Sequence, residues 1–362
     1  MGSRYMKTDL NRMIDALKNY KPEMSRVFFH YCRKDTLEKL FNPRGEIYCT
    51  HTARLNDKRE IFEGCELFLS YLQTVKNFPT HVIKMLMDNI NANINRFDPL
   101  AQGLPEVMPW TFSVSEAADA PFQWKYYTDS ISGGYMLAID KGRLLYAIDA
   151  LNKANTCPLL AMNKRSTLLF LPCLYIGVDD VAIRAVFEAI YSDMKESFED
   201  VKLSSPSNKL NMQAGINVLT SIFLVSAIIK REKFRHEREW RIVLTATKEI
   251  KLDYEQTVGK PCLRTYISAG LGGSLRDLFV QVMCSPQGNQ KELISHAQWI
   301  LKESESVLPV HTSHISNSVV VNYISRCPCA REYEDYVVRQ TTDMPERNVE
   351  PYEIWRVAGN AK

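Results

Sequence analysis

The stretch KFRHEREWRIVL, residues 233–244, sets two acids and an arginine at alternate positions directly ahead of a short apolar run. Such a run reads as a β-strand. Successive side chains of a strand point to opposite faces, so Glu237, Glu239 and Arg241 share one face while Arg238, Trp240 and Ile242 share the other. The rise of a strand puts the two carboxylates about 7 Å apart. At that spacing they can divide labour, one kept ionised by Arg241 and the other raised toward the working range of a base. Read alone, the stretch favours a solvated edge, where a Glu–Arg pair contributes under about 1 kcal/mol.

Upstream, apolar positions at helical spacing over residues 4–20, ending before Pro22, predict a helix. RVFFHYC (26–32) and EIYCTHT (46–52) predict short strands, separated by a helix that Asp35 can cap and by an Asn-Pro-Arg-Gly turn. LNDKREIFEGCELFLSYLQTV (55–75) passes from a loop into an amphipathic helix, with more helical sequence behind it. MPWTFSVS (108–115), GGYMLAID (133–140), STLLFLPCLYIG (166–177), RTYISAG (264–270) and DLFVQVMCSP (277–286) each predict one strand. Between them fall a helix near 143–154 and long helices around 178–200 and 209–231; NQKELISHAQWILKES (289–304) predicts another. Strands and helices interleave without strict alternation, so the expected class is a mixed α/β or α+β fold with helical insertions. The expected organisation is an N-terminal helix within 1–25 and a single α+β domain over 26–305, with helical insertions near 65–105 and 178–231. A strand at SNSVVVNYI (316–324) and a charged, Pro-containing peripheral tail follow within 306–362.

With 362 residues, 45% apolar and 24% charged, the composition is that of a globular protein able to bury a sizeable core. The formal net charge of +3 is too small to argue for a nucleic-acid or membrane surface. Nine cysteines, odd in number and scattered, suggest a reducing compartment; the lone Cys327-x-Cys329 pair lacks the second pair a tetrahedral zinc site needs, so no metal is expected. The first residues hold no signal-like apolar core, and the longest apolar run, 218–229, falls short of the ~20 residues that span a bilayer. The expectation is therefore a soluble, cytoplasmic protein with no membrane partner.

Three stretches place chemically able side chains at the ends of apolar strands. FFHYCRK offers His30, Tyr31 and Arg33, although a strand with one buried histidine and an exposed arginine would read the same. WTFSVSEAADAPFQWKYY offers Ser113, Ser115, Trp124 and Tyr127, hydroxyls beside rings that suit a planar heterocycle, or equally an aromatic core corner. The third is the Glu237–Glu239–Arg241 run. Phosphate-loop, dinucleotide-fingerprint, nucleophile-elbow and zinc-helix motifs are all missing from the sequence. No cysteine sits in a motif that would activate it as a nucleophile.

Together with RLNDKREIFEG (54–64), these stretches resemble, in order and character, the uncharacterised bacterial family labelled "domain of unknown function two-nine-seven-one". The matching positions are Tyr31 and Arg33; Asn56, Asp57 and Glu60; Ser115; Trp124, Tyr127 and Gly134; Lys233, Glu237, Glu239 and Arg241; and the Cys-Ser-Pro at 284–286. Departures are Lys58 where that family carries proline, Gln123 for its methionine and Ser285 for its glycine. A looser resemblance is to mono-ADP-ribosyltransferases, in the order of His30 or Arg33, then Phe112-Ser113-Val114-Ser115, then Glu237-Arg238-Glu239. It implies a largely antiparallel split sheet and NAD as substrate. The arginine or histidine would hold the dinucleotide's phosphate or ribose, a serine would brace the central strand and a tyrosine would stack on nicotinamide. Glu239 would stabilise the cationic sugar as nicotinamide leaves, with Glu237 assisting and Arg241 orienting both. That resemblance further implies a toxin or phage-defence effector with a nucleic-acid or protein acceptor. Long spacings, about 80 residues from Arg33 to Ser113 and over 120 from Ser115 to Glu239, require helical insertions to be looped out. Two other expectations stay open: a nucleotide-binding sensor or antitoxin-like partner without catalysis, and a nuclease holding Mg²⁺ on Asp57, Glu60, Glu237 and Glu239.

Overall fold

Strand β8 (Glu239–Thr245) is buried along its whole length, since it has strands on both edges and packed side chains on both faces. The computed structural model describes residues 11–20, 25–41, 46–52, 55, 58–95, 107–154, 167–202, 212–245, 253–257, 260–268 and 278–315. Asn56, Asp57, the Cys327-x-Cys329 pair, the strand expected at 316–324 and the C-terminal tail lie outside those residues.

Antiparallel to β8 run β5 (Thr167–Pro172) on one edge and β3 (Trp110–Ser115) on the other, with Phe170 and Phe112 both in register with Ile242. Because β8 covers β3 from end to end, the remaining edge of β3 must serve two partners. At its start Trp110 and Thr111 pair with His51 and Thr50 of β2 (Glu46–His51), and at its end Ser115 pairs with Phe29 of β1 (Val27–Cys32). Between those contacts the sheet forks. One arm continues from β1 through β4 (Tyr135–Asp140) and β11 (Phe279–Cys284) to β12 (Val310–Thr312); the other runs from β2 through β10 (Lys260–Ser268) to β9 (Asp253–Thr257). The ten strands are antiparallel apart from the parallel β11–β12 pair, and β6 (Leu174–Ile176) with β7 (Ile229–Arg231) forms a separate parallel pair. The fold is α+β with a mixed, mostly antiparallel sheet.

Alternation along β8 divides two cores. Trp240, Ile242 and Leu244 join Phe28, Trp110, Phe112, Leu137 and Phe279, beneath α2 (Lys34–Leu40), α6 (Lys141–Ala154) and α10 (Gln290–Glu303). Val243, on the opposite face, joins a helical core built from α1 (Asn11–Tyr20), α3 (Lys58–Thr74), α4 (Thr80–Asn95), α7 (Asp180–Asp193), α8 (Lys195–Lys202) and α9 (Met212–Ser226). The two insertions read from the sequence thus meet in one helical layer, and Met13 and Leu17 of the N-terminal helix are buried in it.

Several boundaries differ from the sequence reading. STLLFLPCLYIG is two strands: Cys173 N–H donates to the Glu239 carbonyl at 2.8 Å and Leu174 N–H to that of Ile228 at 2.7 Å, which hands the chain from the large sheet to the small one. The expected helix over 209–231 stops at Ser226, and its last residues, 229–231, form β7. The expected helix over 178–200 divides at Met194. Strand β8 begins at Glu239 and excludes Glu237, because Arg238 adopts a left-handed conformation (φ 43°) and the residues before it, Glu232–Glu237, form a 3-10 turn. The solvated edge expected of EREWRIVL is overturned: Glu237, Glu239 and Arg241 are all buried.

Helices α3 and α9 touch at Gly64, where an added Cβ would stand 2.7 Å from the Ser226 Cα. Helix propensity favours alanine over glycine by about 1 kcal/mol, but a contact with backbone cannot be relieved by rotating a side chain. Gly64→Ala is expected to destabilise the protein by about 1–3 kcal/mol, read as a lower urea midpoint at unchanged slope.

Candidate functional site

Among the described residues the fork leaves Phe112–Val114 without a strand partner on one edge, and a cleft opens there. His30 of β1 closes part of the gap: its Nδ1–H donates to the Ser113 carbonyl at 2.9 Å while its ring stacks on Phe112 at 4.3 Å. Burial lowers this histidine to about 4, against the lesser opposing effect of that hydrogen bond, so it is a neutral imidazole with Nε2 left as acceptor. Two adjoining cavities of about 270 and 320 Å³ fill the cleft, and both are lined by Leu55, Ser113, Tyr127, Glu237 and Glu239. The first also takes in Tyr31, Lys39, Thr50, Thr111 and Ser115; the second takes in Phe122, Tyr126, Phe234 and the buried charges Glu60, Lys230 and Arg241. Their sizes are those of a small-molecule site.

At the junction lies a closed network of buried charges. The Lys230 ammonium, on β7, donates to both Glu237 and Glu239 and stands 3.8 Å from Glu60. Arg241 binds Glu239 through Nε at 2.7 Å, Glu60 of α3 through Nη2 at 2.5 Å, and the Ala227 carbonyl through Nη1. Burial opposes the charge on Lys230, yet Glu239, Glu237 and Glu60 together hold it protonated. For Glu239, burial would raise the carboxyl, but Arg241 and Lys230 hold it well below the usual carboxylate range. Glu237 goes the other way: burial raises it to about 7, beyond what Lys230 can offset, and the Glu239 charge adds to the rise. Charge counting gives the reason. With three carboxylates and two cations the network holds one negative charge too many, and protonating Glu237 makes it neutral.

Neighbouring elements hold Glu237 and Glu239 in place. Ser115 Oγ and Gln123 Nε2 both donate to the Glu237 carbonyl, the latter at 3.2 Å, and Tyr127 O–H donates to Glu237 Oε1 at 3.1 Å. Burial and the adjacent Glu237 charge keep the Tyr127 phenol far above its ordinary value, so it stays a donor. The Glu239 N–H donates to Tyr175 O–H at 2.9 Å, the Tyr175 N–H donates to Asp179 at 2.7 Å, and Asp179 also accepts from Tyr20 of α1. The helical layer thus reaches the strand through hydrogen bonds as well as through Glu60.

Of the residues singled out in the sequence, the structure brings His30, Tyr31, Ser113, Ser115, Tyr127, Glu237 and Glu239 to the cleft, with Arg241 beneath it. Two are elsewhere. Arg33 is exposed ahead of α2 and lines neither cavity, because β1 ends at Cys32 and the chain turns away. Trp124 is wholly buried, its indole N–H donating to Asp119 at 2.7 Å and its ring edge-to-face with Tyr31, so it offers no face to a ligand. Tyr31 has its own hydroxyl engaged, donating to the Ala117 carbonyl and accepting from the Ala120 N–H, both at 2.9 Å. The cation in the first cavity is instead Lys39 of α2, paired with Asp35 at 3.7 Å. Lys230 was missed altogether, and Lys233, given a place by resemblance, lies over the Phe234 ring. Cys32, Cys49, Cys65, Cys173 and Cys284 are buried, and burial raises the thiols of Cys32, Cys65, Cys173 and Cys284 away from nucleophilic use.

Comparison of the chain with protein-family models, with curated proteins and with solved structures found no match. None of the helices among the described residues is long and apolar enough to cross a membrane.

A carboxyl raised from 4.5 in the unfolded chain to about 7 in the fold keeps its proton where the unfolded chain has lost it, so it makes stability fall as pH rises across that window. Glu237→Gln removes the titration. Between pH 4.5 and pH 7 the variant is expected to gain on the order of 3 kcal/mol relative to wild type, measured as the difference between their urea-unfolding free energies.

Proposed function

We propose that the chain is an NAD-consuming, ADP-ribosyltransferase-like enzyme, with the dinucleotide lying in the forked cleft and its nicotinamide ribose over Glu239. The observation that carries this reading is the pair of carboxyls at the cleft junction driven in opposite directions, Glu239 ionised and Glu237 able to carry a proton near neutrality. Breaking the nicotinamide–ribose bond builds positive charge on the sugar, and a fixed carboxylate lowers that barrier only if it stays ionised. Arg241 and Lys230 meet that need. Glu237 can then take the proton that an acceptor hydroxyl or amine must lose. His30, neutral and with Nε2 as acceptor, suits a ribose hydroxyl better than a phosphate, while Lys39 supplies the positive charge for phosphate. The split of the sheet around β3 and the order of His30, Ser113-Val114-Ser115 and Glu237-Arg238-Glu239 support the likeness to mono-ADP-ribosyltransferases drawn from the sequence.

A second reading, a nucleotide-binding sensor, is favoured by one fact: Glu239 and Arg241 are already engaged by internal partners. Against the third, a magnesium nuclease, the Lys230 ammonium fills the position between the carboxylates that a cation would need. The decisive measurement is release of nicotinamide from NAD by the purified protein. Wild type is expected to release it and Glu239→Gln to do so at least about a hundredfold more slowly. Calorimetric binding of NAD with no release would move the conclusion to the sensor, and undiminished release by Glu239→Gln would remove Glu239 from the chemistry.

A further inference from the structure

We propose that the second cavity is the acceptor site, and that it takes a nucleobase from a single-stranded nucleic acid. This deepens the ADP-ribosyltransferase reading and rests on it. The two cavities meet at Glu237 and Glu239 but differ in lining: the first has hydroxyls and Lys39, whereas the second is walled by Phe122, Tyr126 and Phe234. Tyr126 is 52% exposed and lies tilted against Phe122 at 4.6 Å. An exposed ring at the mouth of a cavity and another in its wall are the elements that hold a flat heterocycle by stacking.

Cations stand beside those rings. Lys125 Nζ is 4.8 Å from the Tyr126 centroid and Lys233 Nζ 4.7 Å from that of Phe234. Arg235 on the same 3-10 turn and Arg238 just after it have side chains 46% and 59% exposed. Acids temper these cations: Arg235 lies 3.9 Å from Glu232 and Arg238 3.4 Å from Glu116. A lysine beside a ring in each of FQWKYY and KFRHER, Lys125 by Tyr126 and Lys233 by Phe234, suits a strand whose bases stack while its phosphates run past basic side chains. The near-zero overall charge is no objection, because Lys125, Lys233, Arg235 and Arg238 belong to the two segments that carry Phe122, Tyr126 and Phe234.

The transfer balances without a further reactant. The bond between ribose C1′ and the nicotinamide nitrogen breaks, with the electron pair leaving on nicotinamide. A nitrogen lone pair of the base forms the new bond to C1′. That nitrogen's proton passes to the Glu237 carboxylate and then to solvent, and a group near neutrality can both receive and release it.

The test uses the full chain and fluorescein-labelled oligonucleotides of about twelve nucleotides, within the span of known single-strand sites. Fluorescence anisotropy is expected to show single-stranded oligonucleotide bound more tightly than duplex of the same sequence, with affinity falling as salt rises. Tyr126→Ala and Phe234→Ala are expected to weaken binding about five- to a hundredfold, and Lys125→Glu with Lys233→Glu to flatten the salt slope by about one per site. Circular dichroism melts identify any variant that fails to fold, and the half-exposed Tyr126 keeps the test available if Phe234→Ala does. Equal affinity for duplex, or aromatic variants that bind like wild type, would overturn the proposal, as would NAD-derived label appearing on protein and never on oligonucleotide. Nicotinamide release with no oligonucleotide binding would leave the NAD reading standing without this acceptor; oligonucleotide binding with no release would overturn both the NAD reading and the acceptor role, leaving only a single-strand binding surface.

Discussion

Everything near the cleft depends on one buried ammonium. Lys230 sits among Glu60, Glu237 and Glu239, and each of those carboxylates belongs to a different element: helix α3, the 3-10 turn and strand β8. Removing one partner from a buried ion pair typically costs about 3–5 kcal/mol, because it strands a charge with no water to receive it. The network therefore fixes where the helical layer meets the sheet as much as it tunes any single group. Arg241, reaching Glu60 from the strand, ties the same two layers a second time.

The two faces of β8 explain how a charged network and a dry core coexist seven residues deep. Trp240, Ile242 and Leu244 fill one side with rings and branched chains, Phe170 stacking on Trp240 at 5.1 Å. On the other side Glu239 and Arg241 precede Val243, so the polar end of the face lies at the fork and the apolar end under the helices. A strand paired on both edges cannot shift register to relieve a poor contact. Its side chains are therefore rigid supports, the condition a preorganised site requires.

Much of the sheet was legible because its strands carry strong local patterns. VFFHYC, WTFSVS, YMLAID and FVQVMC are apolar runs bounded by turn residues, and each is a strand close to where periodicity placed it. The break inside STLLFLPCLYIG was hidden, since it is made by hydrogen bonds from Cys173 and Leu174 to residues far along the chain. Lys230 was hidden for a similar reason. It ends the run SIFLVSAIIK, where a lysine is expected to extend its chain into water, and only the folded chain shows that it turns inward to three acids. The alternation that put Glu239 with Arg241 was readable from the strand itself, whereas Glu237 joins them from outside the strand through the left-handed turn at Arg238. Arg33 was misplaced because sequence shows that a charged residue follows a strand, but not which way the chain leaves it.

The proton on Glu237 also sets the charge of the cleft floor. While it is bound, the floor of the cleft is neutral, and a phosphate-bearing molecule meets no repulsion as it settles. Once it is lost, the same floor carries an unbalanced negative charge in a poorly solvated place, and an anionic visitor is pushed away. A charge brought beside that floor and the proton on Glu237 are thus linked, an anion favouring its retention, and Glu237 receives a further proton only after that one has left.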